Sequence, residues 1–147
     1  MAVLKILQLG DPLLRQPAKE VGQVTKRLRK LAHDMLETMY AAPGMGLAAP
    51  QIGVSERVVV IDIGDGPLVL FDPRFLAKEG AQRDVDACLS IPGRSEYITR
   101  AQKVRVSYLN EQGKKMEIKA SGLLAWALQH EIDHLDGILY LDYLAKK

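Results

Sequence analysis

The sequence predicts an α+β fold. Three observations carry this: an amphipathic helical stripe near the start, short β-branched segments through the middle, and a second helical segment near the end. Strands bracketed by helices, without regular alternation, mark that class. Gly10-Asp11-Pro12 and Pro17 make the opening extended chain and turn. From about Val24 to Ala42, Leu28, Leu31, Met35 and Met39 recur at three- and four-residue steps, and Pro43-Gly44 close this first helix. His33 falls off the stripe and is expected at the rim or in solvent. Residues 57–62 and 67–71 read as strands around a Gly64-Asp65-Gly66 turn. Residues 104–109 and 116–120 alternate on either side of Asn110-Glu111-Gln112-Gly113 and predict a hairpin. A second helix is predicted from Ser121, as N-cap, to Leu135, with Asp136-Gly137 as its stop. A last apolar stretch is Ile138-Leu139-Tyr140-Leu141.

At 147 residues, with 48% hydrophobic and 26% charged side chains, the chain is expected to form one domain, residues 1–147, with enough apolar surface to offset ordering entropy. No apolar run approaches a membrane span, and the start does not read as a signal or transit peptide, so a cytoplasmic location is expected with no membrane partner. The formal net charge of +2 and scattered basic residues do not suit a sequence-specific nucleic-acid binder. The run Lys26-Arg27-Leu28-Arg29-Lys30 reads as the wet face of a helix. The single cysteine, Cys88, excludes an intrachain disulfide and is either buried filler or chemistry.

His130-Glu131-Ile132-Asp133-His134 is the sharpest chemical signal. Histidines four apart lie one turn above each other on a helix, so both imidazoles can reach one metal ion. They share a sector with Leu123 and Ala127, and Glu131 falls beside it, on the flank of Leu124, Leu128 and Leu135; Gln129 and Asp133 form the polar edge. The pattern also fits two ordinary core histidines, but the glutamate and the apolar surround favour a catalytic metal. A third ligand is needed. Downstream there are only Asp136 and Asp142 as carboxylates and no histidine, which turns attention upstream to Cys88.

Gly44-Met45-Gly46-Leu47-Ala48-Ala49-Pro50-Gln51, Cys88-Leu89-Ser90 and Gln129-His130-Glu131-Ile132-Asp133-His134 resemble, in order and spacing, the three motifs of the peptide deformylases. Asp11-Pro12-Leu13-Leu14-Arg15 and Ser121-Gly122-Leu123-Leu124-Ala125 agree with this, and the resemblance covers nearly the whole chain. It implies short β-sheets around a central metal-binding helix, with one further N-terminal helix. It also implies removal of the formyl group from the N-terminal formyl-methionine of new polypeptides, releasing formate. Cys88, His130 and His134 would bind one divalent metal with water in the fourth position: Fe(II) in the cell, with Zn, Ni or Co able to occupy the site. Glu131 would act as general base, and the Gln51 amide and Leu89 N–H as oxyanion donors. Gly44, Met45 and Gly46 would pair with the extended peptide, and Leu123, Trp126 and Ala127 would line the methionine pocket.

The chain departs from the family pattern at Asp86-Ala87, where Glu-Gly is usual, and Phe71-Asp72-Pro73 stands where Asn-Pro is common. A methyl at Ala87 bears on substrate affinity if backbone there needs a positive φ or a close approach. Asp86 is one methylene shorter near the site. The family's C-terminal ribosome-docking helix has no counterpart after Tyr143-Leu144-Ala145-Lys146-Lys147, which weakens the expectation of ribosome contact; a monomer is expected. Competing readings are a related hydrolase retuned for another small N-acyl group and an idle binder of formyl peptides. Glu131 and Gln51 weigh against the second.

Overall fold

A computed structural model describes residues 3–144. Helix α1 spans Lys26–Ala41. Thr25 caps it by accepting from the Leu28 N–H at 3.3 Å, and the Gly44 N–H donates back to the Met39 carbonyl at 2.8 Å. Gly44 therefore both closes the helix and starts the next segment. The basic run lies on the wet side as expected, with Arg27 forked onto Glu56. His33 is half exposed, 2.7 Å from Glu111.

Seven strands follow: β1 Gly46–Ala48, β2 Val58–Ile61, β3 Leu68–Glu79, β4 Gln82–Cys88, β5 Ile91–Arg100, β6 Lys103–Leu109 and β7 Lys115–Ser121. Five form an antiparallel sheet in the order β1-β2-β3-β6-β7, while β4 and β5 form a separate hairpin. Helix α2, Gly122–Leu135, leaves β7 directly. The two helices cover opposite faces of the larger sheet. Val59 and Ile61 of β2 pack with Ala125, Leu128, Ile132 and Leu135 of α2. Val58 and Val60 pack with Leu28, Ala32, Met35 and Met39 of α1. A strand covered on both sides has no polar face, which is why β2 reads as an unbroken β-branched run. A third cluster, including Leu14, Ile91, Ile98, Trp126, Leu139 and Tyr140, fastens the hairpin and the C-terminal turn to α2.

The differences from the sequence expectation have local causes. The β4–β5 hairpin carries no strand pattern in the sequence, because most of its side chains are polar and exposed, and β4 buries only Asp86 and Cys88. Strand β3 runs on past Phe71 through a register shift at Asp72-Pro73, where proline has no N–H for the ladder. Asp72 takes a left-handed φ of 48° there, and its carboxylate accepts from the Val21 and Gly22 N–H groups at 2.7 and 2.9 Å. Strand β1 is three residues long, too short for any alternation. Ser121 occupies the N-cap position without a side-chain capping bond. The stretch after Gly137 is a 3-10 turn, Tyr140–Leu144, whose Tyr140 is buried. Ala145–Lys147, on which the expected absence of a C-terminal helix bears, lie outside the described residues.

Gly137 ends α2 with a φ of 73°, and a Cβ there would stand 2.5 Å from the Arg15 carbonyl oxygen. Gly137→Ala therefore meets both a left-handed backbone and a rigid neighbour. It is expected to lower the unfolding free energy by about 2–3 kcal/mol in urea titration. An unchanged midpoint would contradict this packing.

Candidate metal centre

Helix α2 presents His130 and His134 one turn apart, and β4 ends at Cys88 beside them. The two Nε2 atoms are 3.2 Å apart, and Cys88 Sγ is 3.3 Å from His134 Nε2. One donor atom from each of the three residues lies within 4.8 Å of the others. Cys88 has no disulfide partner, since it is the only cysteine. A thiolate and two imidazoles facing a common point are a ligand set for a borderline-soft divalent ion, and the residues present fit one. Asp136 and Asp142, the other carboxylates considered as ligands, are instead paired with Arg57 and Arg15.

The histidine orientation is set by a buried ionic chain. His130 Nδ1 lies 2.8 Å from Asp86 Oδ1. The other oxygen of Asp86 accepts from Arg100 Nε and Nη2 at 3.0 and 2.7 Å. Arg100 Nη1 donates to Asp133 Oδ2 at 2.9 Å, and the Tyr143 hydroxyl donates to the same oxygen at 2.6 Å. Burial alone would raise the Asp86 carboxyl, but His130 and Arg100 outweigh it and hold the group below the ordinary carboxylate range. With Nδ1 engaged, Nε2 of His130 is left facing Cys88 and His134, an arrangement common around metal-ligating imidazoles. Burial, and then the neighbouring His130, push His134 well below the usual histidine value, which favours the neutral ring a metal requires.

Glu131 is buried beside this cluster, with Oε2 3.9 Å from His130 Nε2. Its Oε1 is buried without a hydrogen-bond partner among the described residues. Burial pushes its carboxyl up to about 7, with His130 pulling the other way. A carboxyl poised there can accept and return a proton near neutrality. The carboxylate rests on β1 backbone: a Cβ at Gly46 would stand 2.5 Å from Glu131 Oε2. Gln51 lies in a 3-10 turn, Ala49–Ile52. Its carbonyl accepts from the Ala48 N–H at 2.9 Å, and its amide reaches Ser90 Oγ at 3.1 Å and Cys88 Sγ at 3.5 Å. Leu89 turns the chain between β4 and β5, with its side chain against Gly44.

A cleft of about 490 Å3 opens over these groups. Gly44, Met45 and Gly46 form one wall and residues 84–89 the other, with Leu123, Trp126 and Ala127 along α2. Strand β1 ends one sheet and β4 is unpaired on one side, so two open strand edges border the cleft. All the expected site residues thus gather at one place. Trp126 is both cleft lining and core, and Leu123 is half exposed at the rim. Ala87 is not left-handed, since Asp72 is the only non-glycine residue with positive φ among those described, so its methyl costs no backbone strain.

Two corrections concern α2. Gln129 and Asp133, expected as a polar edge, are buried: Gln129 bonds the Ala101 backbone at both its N–H and carbonyl, and Asp133 belongs to the Arg100 chain. Ser90 and Asp133 stand inside the family motifs without an assigned role, and Arg100 and Tyr143 carry no sequence signal for the site. Asp86 had one usable signal, because two residues before Cys88 on a strand places it on the same face. Nothing in the sequence distinguishes Arg100 from the other arginines.

Gly46→Ala is expected to displace Glu131 and cut turnover about 100-fold with metal content unchanged, a comparison of rate with bound metal per protein. Asp86→Asn leaves His130 Nδ1 without its charged acceptor. It should weaken metal affinity by about 10- to 100-fold in competition with a chelator, and equal affinity would exclude the orienting role.

The polypeptide deformylase family model matches residues 3–147. A peptide deformylase of Desulfitobacterium hafniense is 51% identical over 146 residues, covering 99% of this chain and 97% of the relative. One from Clostridium botulinum is 48% identical over 147 residues, with both chains fully covered. Among solved structures, peptide deformylase from Thermotoga maritima superposes with a TM-score of 0.95 at 38% identity, covering 97% of this chain and 98% of that one. That of Ehrlichia chaffeensis in complex with actinonin gives 0.97 at 40% identity, covering 99% and 91%. The chain belongs to the polypeptide deformylase family.

Proposed function

We propose, with that family membership as premise, that Cys88, His130 and His134 hold the metal, Fe(II) in the cell, and that Glu131, Gln51 and Leu89 carry out the chemistry around it. The chain is a metal-dependent peptide deformylase, a hydrolase that removes the formyl group from N-terminal formyl-methionine. The observation that carries the assignment of roles is the buried Glu131 carboxylate, whose Oε1 has no hydrogen-bond partner among the described residues, beside three converging donor atoms in a cleft bordered by strand edges.

A divalent ion held there supplies Lewis acidity, which acidifies water and polarises the formyl carbonyl. Glu131 takes the proton as water adds to the formyl carbon, then delivers it to the amine nitrogen as the C–N bond breaks, leaving formate and a free amino terminus. The Gln51 amide, its carbonyl anchored on Ala48, and the Leu89 N–H donate to the oxygen that takes on negative charge. The substrate, an N-formylmethionyl nascent polypeptide, lies extended between β1 and β4 and pairs with Gly44, Met45 and Gly46. Its methionine side chain enters between Leu123, Trp126 and Ala127. We infer a monomeric enzyme of one catalytic domain, placed in the cytoplasm because nascent polypeptides are its substrates.

The test is formate release from a short formyl-methionyl peptide by anaerobically prepared protein loaded with Fe(II) or Ni(II). Release should be specific to formyl over acetyl and fall by about 1000-fold in Glu131→Ala with metal retained. The rate should decline in acid as Glu131 gains its proton. A bound dication favours the carboxylate, so that limb should lie at or below about pH 7. Bound metal without release of either acyl group would overturn the roles assigned here.

A further inference from the structure

The motif Asp11-Pro12-Leu13-Leu14-Arg15 and the segment before it have no part in the roles assigned above. That segment lies against the two turns that carry the oxyanion donors Gln51 and Leu89. The Leu7 N–H donates to the Gln51 backbone carbonyl at 2.6 Å, and the Leu9 N–H donates to the Ser90 backbone carbonyl at 2.8 Å. Two bonds from one short segment thus tie the 49–52 turn to the turn between β4 and β5. Side chains join the same two turns again, since the Gln51 amide reaches Ser90 Oγ at 3.1 Å and both residues are buried. The segment is itself anchored. The Asp11 N–H donates to the Gln8 carbonyl at 3.0 Å, and Gly10 between them has a φ of 105°, which marks a type II turn with Leu9 as its second residue. Asp11 then caps the 3-10 turn Pro12–Arg15 by accepting from the Leu13 N–H at 3.0 Å, and Leu14 is buried in the cluster that holds Cys88 and Trp126.

We infer that the N-terminal turn is a positioning element for the reaction: acting through Ser90, the Leu9 N–H aims the Gln51 amide at the oxygen that gains charge. This rests on the reading above, in which Gln51 is an oxyanion donor. A glutamine side chain offers one carbonyl acceptor and two N–H donors. The Ala48 N–H holds the carbonyl at 2.9 Å, and Ser90 Oγ takes one of the donors. The second donor is left on the side of Cys88, where Nε2 lies 3.5 Å from Sγ. A donor already fixed at its other positions need not reorganise as charge develops, which is what makes it effective. The Ser90 hydroxyl serves this end only while its backbone is held, and the Leu9 N–H holds it. Leu9 acts here by its backbone alone, and its side chain is 47% exposed.

Leu9→Pro removes the N–H and keeps the turn, because the second position of a type II turn favours proline. In the metal-loaded enzyme, kcat on a short formyl-methionyl peptide should fall about tenfold, with KM and bound metal per protein changed by less than about twofold. Leu9→Ala keeps the N–H and should retain at least about half of the parent kcat. Gln51→Ala should lose about 100-fold. Adding Leu9→Pro to it should cost less than about a further twofold, since residues that act as a unit are not additive. A readout free of turnover is the Gln51 side-chain amide in the nitrogen–proton NMR spectrum of zinc-loaded protein, identified by its loss in Gln51→Ala. Its lines should move in Leu9→Pro and hold in Leu9→Ala. If Leu9→Pro does not fold, Ser90→Ala takes its place in each comparison. An undiminished loss in the Gln51→Ala background overturns the positioning role, as does an unchanged kcat or an unmoved amide in the folded variant. Full turnover in Gln51→Ala itself overturns the oxyanion reading, and the positioning role falls with it.

Discussion

The site depends on one buried cation. The Arg100 side chain is 1% exposed, yet it carries a charge that can be kept only among compensating groups. Its fork joins Asp86 on β4 to Asp133 on α2, and Asp133 also receives the Tyr143 hydroxyl from the C-terminal turn. Both ring faces available to it, Trp126 and Tyr143, lie within 5.4 Å of the guanidinium carbon. One residue therefore ties the hairpin, helix α2 and the end of the described chain together. Because Asp86 uses one oxygen for Arg100 and the other for His130, that tie also sets the direction of the imidazole.

The same burial that makes Arg100 costly to misplace gives the cleft its chemistry. Helix α2 is covered on nearly every side, so Glu131 sits in poor solvent and its carboxyl rises into the neutral range. A surface glutamate on an equally regular helix would stay ionised and weakly basic. The shorter Asp86 remains compatible with this arrangement, because its backbone lies on a strand that ends at Cys88, beside the histidines. Ala87 faces the cleft without backbone strain, so its methyl acts only on what lies in the cleft.

The cleft exists because two sheets stop short of each other. β1 and β4 each have a side with no neighbouring strand, the kind of edge an extended chain can join. Gly46 lets the Glu131 carboxylate lie against that edge, where any Cβ would collide. The Glu131 carboxylate and the backbone of β1 are thus in direct contact.

Much of this was legible in the sequence alone. The periodicity of residues 26–41, the β-branched run of β2 and the spacing of His130 and His134 are local properties, so they survive without knowledge of the fold. The want of a downstream histidine only points toward Cys88, and it is the family resemblance that implies its role; its closeness to His134 is a long-range fact. The β4–β5 hairpin was illegible because its polar, exposed side chains carry little of the hydrophobic patterning that marks a half-buried strand. The burial of Gln129 and Asp133 was illegible because helical periodicity reports one face of a helix, not the number of neighbours that cover it. Residue chemistry and short-range spacing determined what the site is made of. Only tertiary structure decided which charges are paired and how deeply the Glu131 carboxylate is desolvated, because pairing and desolvation depend on groups brought together from distant parts of the chain.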